Sequence, residues 1–378
     1  MQNQWSKKYR LLISGGGTGG HVFPAIAIAD AIKATGIDVD FLFVGASGKL
    51  EMEKVPKAGY EIEGLPVMGF PRKHALLVFK FFFRLLNSML KAGKILKKFK
   101  PHCVVGVGGY ASGPVLRIAA RRKIPTLIQE QNSYAGVTNK LLASKVNRIC
   151  VAYEEMDKYF PANKIIITGN PVRKDILKII NKNPEAYTLF GLDPAKKTFL
   201  VLGGSLGAGT INSSILESIG RIHDNYQLLW QCGKTYYEKL KLSVNFEKHT
   251  NVILMPFIER MDLAYAAADL IISRAGAITI SELQLIGKPC ILVPSPNVAE
   301  DHQTKNAMAL VSKQAAWMVK DADAQMELMD KAFTLIEDEA ECHRVSVNLK
   351  GMGIPNSAEK IAAEVIGLMK LKENGSSR

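Results

Sequence analysis

Two stretches of the chain open in the same way, and that repetition limits the fold more than any other feature. Leu11-Leu12-Ile13-Ser14 runs straight into Gly15-Gly16-Gly17-Thr18-Gly19-Gly20, after which Ala25, Ile26, Ile28, Ala29 and Ile32 keep a helical spacing that ends near Gly36. A short apolar run, a glycine turn and a helix make the opening of a doubly wound sheet. The second half repeats it: Thr198-Phe199-Leu200-Val201-Leu202, then Gly203-Gly204-Ser205-Leu206-Gly207-Ala208-Gly209, then a helix over 211–219. Further buried strands are expected at residues 41–44, 103–107 and 126–128, and at 228–230, 252–255, 270–273 and 290–293. Helical stretches separate them, which favours parallel pairing. The pattern predicts an α/β chain of two Rossmann-like domains, residues 1–170 and 171–356, joined at Gly169-Asn170-Pro171-Val172. A last helix is expected at 361–371 with a frayed tail from Glu373, and residues 357–378 are expected to pack back on the first domain.

The length of 378 residues suits two domains at roughly 150 residues each. Hydrophobic residues are 47% and charged residues 22%, a globular composition that rules out a disordered chain, a collagen or a coiled coil. The five cysteines, Cys103, Cys150, Cys232, Cys290 and Cys342, are far apart and include no C-x-x-C pair. They argue against a disulfide scaffold or a zinc cluster and fit a reducing compartment. Met1 to Arg10 is polar and basic, and no signal peptide is expected there. The net charge of +14 is unevenly spread. Between Glu63 and Glu130 there is no acidic residue but thirteen basic ones, while the rest of the chain has 36 basic against 35 acidic residues. One face of one domain is therefore expected to be strongly positive and to meet something anionic.

The first glycine turn fits G-x-G-x-x-G, in which glycines at a helix start let backbone N–H groups approach an anion. The acidic residue that would hold a ribose is not where a dinucleotide fold needs it, because residues 41–44 lead into Gly45-Ala46-Ser47-Gly48. Nor is this a P-loop, since His21 stands where lysine is required. A tight turn that binds nothing is the alternative reading. Four other glycine-bearing turns weigh against it: Gly106-Val107-Gly108-Gly109-Tyr110-Ala111-Ser112-Gly113, residues 203–209, Gly169-Asn170-Pro171-Val172-Arg173, and Arg274-Ala275-Gly276-Ala277. All sit where a strand ends, which is where open α/β sheets bind ligands. Phosphate-bearing ligands account for so many loops better than one small metabolite does.

Seven motifs then occur in one order: GGGTGGHVFPA, GVGGYASGP, EQN, GNPVR, GGSLGA, SRAGAITISE and DHQTKNA. Over roughly residues 8–370 the chain closely resembles the MurG family, the UDP-N-acetylglucosamine–N-acetylmuramyl-(pentapeptide) pyrophosphoryl-undecaprenol N-acetylglucosamine transferases. The resemblance implies a GT-B fold, with two Rossmann-like domains facing across a cleft. It implies inverting transfer of N-acetylglucosamine from UDP-N-acetylglucosamine to the 4-hydroxyl of the muramyl sugar of lipid I, the undecaprenyl-diphosphate-linked muramyl-pentapeptide, forming lipid II in peptidoglycan synthesis. It implies a peripheral place on the cytoplasmic face of the bacterial inner membrane. Thr18, Gly19 and Gly20, with Asn132, match positions around the transferred sugar and its diphosphate, and Gly17, Gly109 and Tyr110 are assigned to the acceptor diphosphate. Arg173 and Ser205 match nucleotide and phosphate contacts, and Ile258 a backbone contact to uracil. Ala277, Ile278, Thr279, Ile280, Ser281 and Glu282 match the helix start near the diphosphate, with Glu282 on the ribose hydroxyls, and Gln303 matches a reader of sugar hydroxyls. Gln129 departs from the pattern, standing where some relatives have histidine. An amide cannot usefully accept a proton, which removes a general base from that position.

Residue chemistry supports the same roles. UDP would leave with growing negative charge, and no Asp-x-Asp pair is read as the holder of a catalytic metal, so neither metal nor cofactor is expected. N–H groups at helix starts and a cation such as Arg173 would then carry the charge. Glu282 lies six residues after Gly276, about two turns into a helix at 3.6 residues per turn. There it can accept both ribose hydroxyls, or it is an ordinary solvated glutamate. Direct displacement needs a base for the acceptor hydroxyl, and histidine suits that task near neutral pH. His21, beside the glycine turn, is the candidate, with diphosphate binding or helix capping as its alternatives and Glu130 as the rival base.

Residues 76–86 form a dense apolar cluster broken by Lys80 and Arg84, with no run near the ~20 residues that span a bilayer. A basic helix with three consecutive phenylalanines suits lying on an anionic membrane surface through Leu76, Phe79, Phe82, Phe83 and Leu86. A core helix with a solvated back is the plainer alternative. Three adjacent aromatics cannot all point inward, so part of the cluster is expected outside. Rival readings are a related glycosyltransferase acting on another membrane lipid, an NAD-dependent oxidoreductase, and a basic protein stacking nucleic-acid bases on Phe81-Phe82-Phe83. No nucleic-acid signature is present, and no nucleic-acid partner is expected.

Overall fold

The computed structural model describes residues 8–69, 75–204, 206–223 and 225–375, with the side chains of 75–78, 80, 174, 178, 299 and 372–375 left aside. The chain divides into an N-terminal unit, Met1–Val172 with Asn356–Arg378, and a C-terminal unit, Arg173–Pro355.

The N-terminal unit runs β1 (Tyr9–Ser14), α1 (Gly19–Ala34), β2 (Val39–Ala46), α2 (Glu51–Lys57), β3 (Ile62–Leu65), α3 (Ala75–Phe99), β4 (Cys103–Gly106), α4 (Ser112–Arg121), β5 (Thr126–Glu130), α5 (Val137–Leu142), β6 (Arg148–Val151) and β7 (Ile165–Ile167). Its seven strands are all parallel in the order β3-β2-β1-β4-β5-β6-β7. Strands covered on both faces read as continuous apolar runs, which is why Leu11-Leu12-Ile13 shows no alternation. Leu11 and Ile13 join a core with α1, while Leu12 joins the opposite core with Ala92, Ile95 and Leu96 of α3 and Val115, Leu116 and Ala119 of α4.

The C-terminal unit runs α6 (Pro184–Phe190), β8 (Lys197–Leu202), α7 (Gly209–Glu217), β9 (Tyr226–Gln231), α8 (Tyr237–Ser243), β10 (Val252–Met255), α9 (Met261–Ala267), β11 (Leu270–Ser273), α10 (Ala277–Ile286), β12 (Cys290–Leu292), α11 (His302–Val311), β13 (Trp317–Met318), α12 (Ala324–Glu337) and α13 (Glu339–Gly351). Its sheet is parallel in the order β10-β9-β8-β11-β12-β13. Phe199, Val201, Leu228, Trp230, Leu270 and Ile272 build one core against α7, α8 and α12. Trp230 is fully buried and its indole N–H donates to Asn212 Oδ1 of α7 at 3.0 Å.

The last helix, α14 (Ser357–Gly375), belongs to the N-terminal unit. Ile361, Ala362, Val365, Leu368 and Met369 pack into the core that holds α1, and Glu364 pairs with Arg148 of β6 at 3.5 Å. The helix continues past Glu373, where fraying was expected. The short strands β3, β6, β7 and β13 were not anticipated, because glycine, charge or a length of two or three residues hides them. In each unit the sheet order turns back at one place, between β1 and β4 and between β8 and β11, where loops diverge and leave room for a ligand.

Candidate functional site

In the N-terminal unit the loops after β1 and β4 meet at the turning point of the sheet, where Ser14 stands beside Gly106. The β1 loop takes a path closed to most side chains: φ is +143° at Gly16 and +92° at Gly17. It is braced from below by Glu51 of α2, which is 1% exposed. Glu51 Oε2 accepts the Gly17 N–H at 2.9 Å and Oε1 accepts the Ala46 N–H at 2.8 Å. From the other side, the β4 loop approaches so closely that a Cβ on Gly109 would lie 2.2 Å from the Gly16 carbonyl oxygen. A Cβ on Gly108 would lie 2.8 Å from His21 Cε1, so the imidazole sits against that turn. Thr18 is the N-cap of α1 and makes no side-chain cap, and the first turn carries no acidic residue. The first amides of an α-helix have no intrahelical acceptor, so those of Gly19 and Gly20 sit at the positive end of a 16-residue helix. Gly17, Thr18 and Gly20 are exposed, His21 is half-buried, and Tyr110 is exposed beside Gly109.

Glu130 ends β5 and is 2% exposed. Its Oε1 accepts from the Asn132 backbone N–H at 3.1 Å and from Asn132 Nδ2 at 3.2 Å, and its Oε2 from the Gly136 N–H at 3.0 Å and from Asn139 Nδ2 at 2.8 Å. The carboxylate therefore shapes the loop that carries Asn132. Gln129 is buried in an amide network: its Nε2 donates to Asn170 Oδ1 at 2.8 Å, and its Oε1 accepts from Gln131.

On α3, Phe79, Phe82, Phe83 and Leu86 are 81%, 58%, 68% and 59% exposed, and Phe81 is half-buried. Leu90, outside the expected patch, extends the stripe at 62%. Leu76 lies in the first turn, and its side chain lies outside the described residues. Among the described residues no helix is long and apolar enough to cross a membrane.

In the C-terminal unit the corresponding loops follow β8 and β11. A Cβ on Gly207 would lie 2.3 Å from the Cys232 carbonyl oxygen, so this glycine turn is pressed against the end of β9. Ser205 lies outside the described residues. Arg274, just past β11, donates from Nη1 to the Val293 carbonyl at 3.0 Å and pairs with Asp321, which also accepts from Thr210 Oγ1 at 3.0 Å. Asp321 lies in one of two Asp-x-Asp sequences, Asp321-Ala322-Asp323 and Asp38-Val39-Asp40. Asp40 of the other pairs with Lys8 at 2.8 Å. Each sequence thus has an aspartate engaged by a cation of the chain.

Gly276 is the N-cap of α10. Ala277, Ile278 and Thr279 are half-buried in its first turn, while Ile280 is fully buried and offers a ligand only its backbone. Ser281 and Glu282 are buried. Glu282 Oε2 accepts from Tyr265 Oη at 2.8 Å, and Oε1 lies 3.4 Å from Arg173 Nε. Burial pushes the Glu282 carboxyl above its ordinary range, with Arg173 and the Tyr265 hydroxyl pulling it partly back. The N–H of Ile258 donates to Gln231 Oε1 at 2.9 Å. Gln303 Oε1 accepts from the Ser295 N–H at 2.9 Å.

Comparison with known proteins assigns both units to one family. Residues 11–151 match the glycosyltransferase family 28 N-terminal domain and residues 198–360 its C-terminal domain. A UDP-N-acetylglucosamine–N-acetylmuramyl-(pentapeptide) pyrophosphoryl-undecaprenol N-acetylglucosamine transferase of Parabacteroides distasonis is 53% identical, covering 97% of this chain and 100% of the relative. A protein of the same name from Bacteroides fragilis is 54% identical, over 95% of each chain. The crystal structure of Acinetobacter baumannii MurG superposes with a TM-score of 0.78 at 27% identity, over 96% of this chain and 100% of that one. The chain belongs to the MurG family. Its two parallel α/β units are the GT-B fold of that family.

Several residues of these MurG-type sites were not anticipated from the sequence. Glu51 follows the Gly45-Ala46-Ser47-Gly48 loop in which no acid was found, and it reaches back to the glycine turn rather than toward a ribose. Tyr265 meets Glu282 from a different helix, seventeen residues earlier. Gln231 gives no signal, because it falls just past the strand expected at 228–230, although the structure makes it the last residue of β9. The acidic start of α2 was the one available hint for Glu51.

Proposed function

We propose that this chain transfers N-acetylglucosamine from UDP-N-acetylglucosamine to the 4-hydroxyl of the muramyl sugar of lipid I, with inversion, to give lipid II and UDP. The observation that carries the reading is the full-length match, at more than half identity, to enzymes of that printed name. In the C-terminal unit, Glu282 accepts the ribose hydroxyls and Arg173 moves from Glu282 to a phosphate oxygen. The 203–209 loop, with Ser205, and the first amides of α10 (Ala277, Ile278 and Thr279) bear the remaining charge of the departing UDP. With its N–H committed to Gln231, Ile258 meets uracil through its carbonyl, and Gln303 reads sugar hydroxyls.

In the N-terminal unit, diphosphate and sugar groups of the substrates are held by Thr18, Gly19, Gly20 and Asn132 and by the Gly109-Tyr110 turn. The Gly17 N–H is committed to Glu51, so this glycine serves through its shape. His21 accepts the proton of the acceptor hydroxyl as its oxygen bonds to the anomeric carbon and the bond from that carbon to the UDP oxygen breaks. Glu130 acts by holding Asn132, since its carboxylate already accepts four hydrogen bonds. The exposed stripe of α3 rests on the anionic cytoplasmic surface of the membrane, where about 1 kcal/mol per nearby cation gives reversible docking.

His21→Ala tests the assignment of the base. Turnover with labelled donor and a short-chain lipid I analogue is expected to fall by about 10²- to 10⁴-fold. Affinity for UDP, measured by calorimetry, should stay within about twofold, since its contacts lie on other residues. A variant that keeps wild-type turnover would remove His21 from the reaction.

A further inference from the structure

We infer that Glu51 is the positioning residue of the acceptor loop, a buried carboxylate that sets the shape in which the loop meets a diphosphate; the inference rests on the function proposed above. Three features of the fold converge on it. Both carboxylate oxygens are engaged by backbone donors from different strand ends, the Gly17 N–H after β1 at 2.9 Å and the Ala46 N–H at the end of β2 at 2.8 Å. Space for the side chain is made by two glycines: a Cβ on Gly16 would lie 2.1 Å from Glu51 Oε1, and one on Gly45 would lie 2.4 Å from Glu51 Cγ. The residue is 1% exposed, so its charge is spent inside the protein.

A carboxylate beneath a loop that binds an anion is unexpected on charge alone, and the hydrogen bonds explain it. The Gly17 and Ala46 N–H groups each meet a different oxygen of the one carboxylate, and neither an amide nor a hydroxyl offers two acceptor oxygens. Holding Gly17 at φ +92° fixes the direction in which the chain enters α1, and so where the amides of Gly19 and Gly20 and the ring of His21 point. By taking the Gly17 N–H for itself, Glu51 also leaves the acceptor diphosphate to the helix amides and keeps it from sinking into the turn. Glu51 touches no reacting atom in this scheme; it acts through the loop.

The test compares Glu51→Gln and Glu51→Asp with wild type in steady-state transfer, varying donor and acceptor separately. Gln turns an N–H₂ toward one of the two backbone N–H groups, and Asp keeps the charge but is a methylene too short to reach both. Either is expected to raise the KM for a short-chain lipid I analogue by about 10- to 100-fold, the worth of a hydrogen bond to a charged group. The KM for UDP-N-acetylglucosamine should rise clearly less, because the uracil, ribose and phosphate contacts proposed for the donor lie on Ile258, Glu282, Arg173 and α10, and only its sugar side reaches Thr18, Gly19 and Gly20. Unchanged acceptor KM in both variants, or equal rises in the two KM values, would overturn the inference. Amide hydrogen exchange at Gly17 reads the same bond without substrate and should be faster in both variants. Exchange as slow as in wild type would count against it. A wild-type chain that transferred no sugar would overturn the proposed function instead, and exchange at Gly17 would still decide the role of Glu51.

Discussion

Glu282 carries an electrostatic cost in the folded state, at the residue to which the proposed function gives the ribose hydroxyls. Its burial disfavours the charged form, and Arg173 and Tyr265 offset that only in part, so the carboxyl titrates above its ordinary range. A folded-state pKa that is raised leaves stability intact below the ordinary carboxyl range and removes it as pH climbs through the raised value. Glu282→Gln is therefore expected to melt at a higher temperature than wild type at pH 8, with the gap closing toward pH 4. The same variant should bind UDP about 10- to 100-fold more weakly, since an amide accepts only one of two ribose hydroxyls well. Thermal melts across pH and UDP titration check the two halves; a Tm gap that widened on acidification would contradict the electrostatic account. Glu282 was legible in the sequence because a carboxylate six residues past a glycine turn needs only helical geometry to be placed. Tyr265 and Glu51 were not, since each contact joins segments that only the tertiary fold brings together.

At the scale of single elements, α3 presents two faces of opposite purpose. Ser88, Ala92, Ile95 and Leu96 are buried, whereas Phe79, Phe82, Phe83, Leu86 and Leu90 are exposed. At about 100° per residue the two sets fall on opposite sides of the helix. Lys91, Lys94, Lys97 and Lys98 are also exposed along it, and Arg122, just past α4, ties into it through the Gly93 carbonyl at 3.0 Å. The double variant Phe82→Ser, Phe83→Ser should lose at least about tenfold in affinity for phosphatidylglycerol-containing vesicles, given about 1.5–3 kcal/mol for each fully buried phenylalanine. Its Tm should stay within about 2 °C of wild type, because side chains already in solvent contribute little to folding. Flotation equal to wild type would detach this stripe from membrane docking. Sequence reasoning named Phe79, Phe82, Phe83 and Leu86 as the outward face, and all four are exposed. It did not carry the stripe on to Leu90, because an apolar run on a helix does not say how far its outer face extends until the neighbouring strands are known. Strands β10, at the sheet edge, and β11, inside it, were legible to the residue as short apolar runs, while β13, of two residues, gains its strand character only from pairing with β12.

Across the whole molecule, one arrangement occurs twice: a parallel sheet whose order reverses beside a glycine turn, with a helix N-terminus at the reversal. The two openings at Leu11 and Thr198 announced it, because burial on both faces and backbone-only turns leave strong marks in sequence. The path of α14 was harder to derive; its place depends on the apolar face of Ile361, Val365 and Leu368 finding the core beside α1. Neither unit alone accounts for a reaction that needs a nucleotide grip and an acceptor diphosphate site, and the chain carries a candidate for each. The most direct test supplies purified protein with radiolabelled UDP-N-acetylglucosamine and, in parallel, a short-chain lipid I analogue or diacylglycerol in the same detergent. Label is predicted to appear in a β-linked disaccharide on the lipid I analogue and to be absent from diacylglycerol; label on diacylglycerol with none on the lipid I analogue would contradict the account.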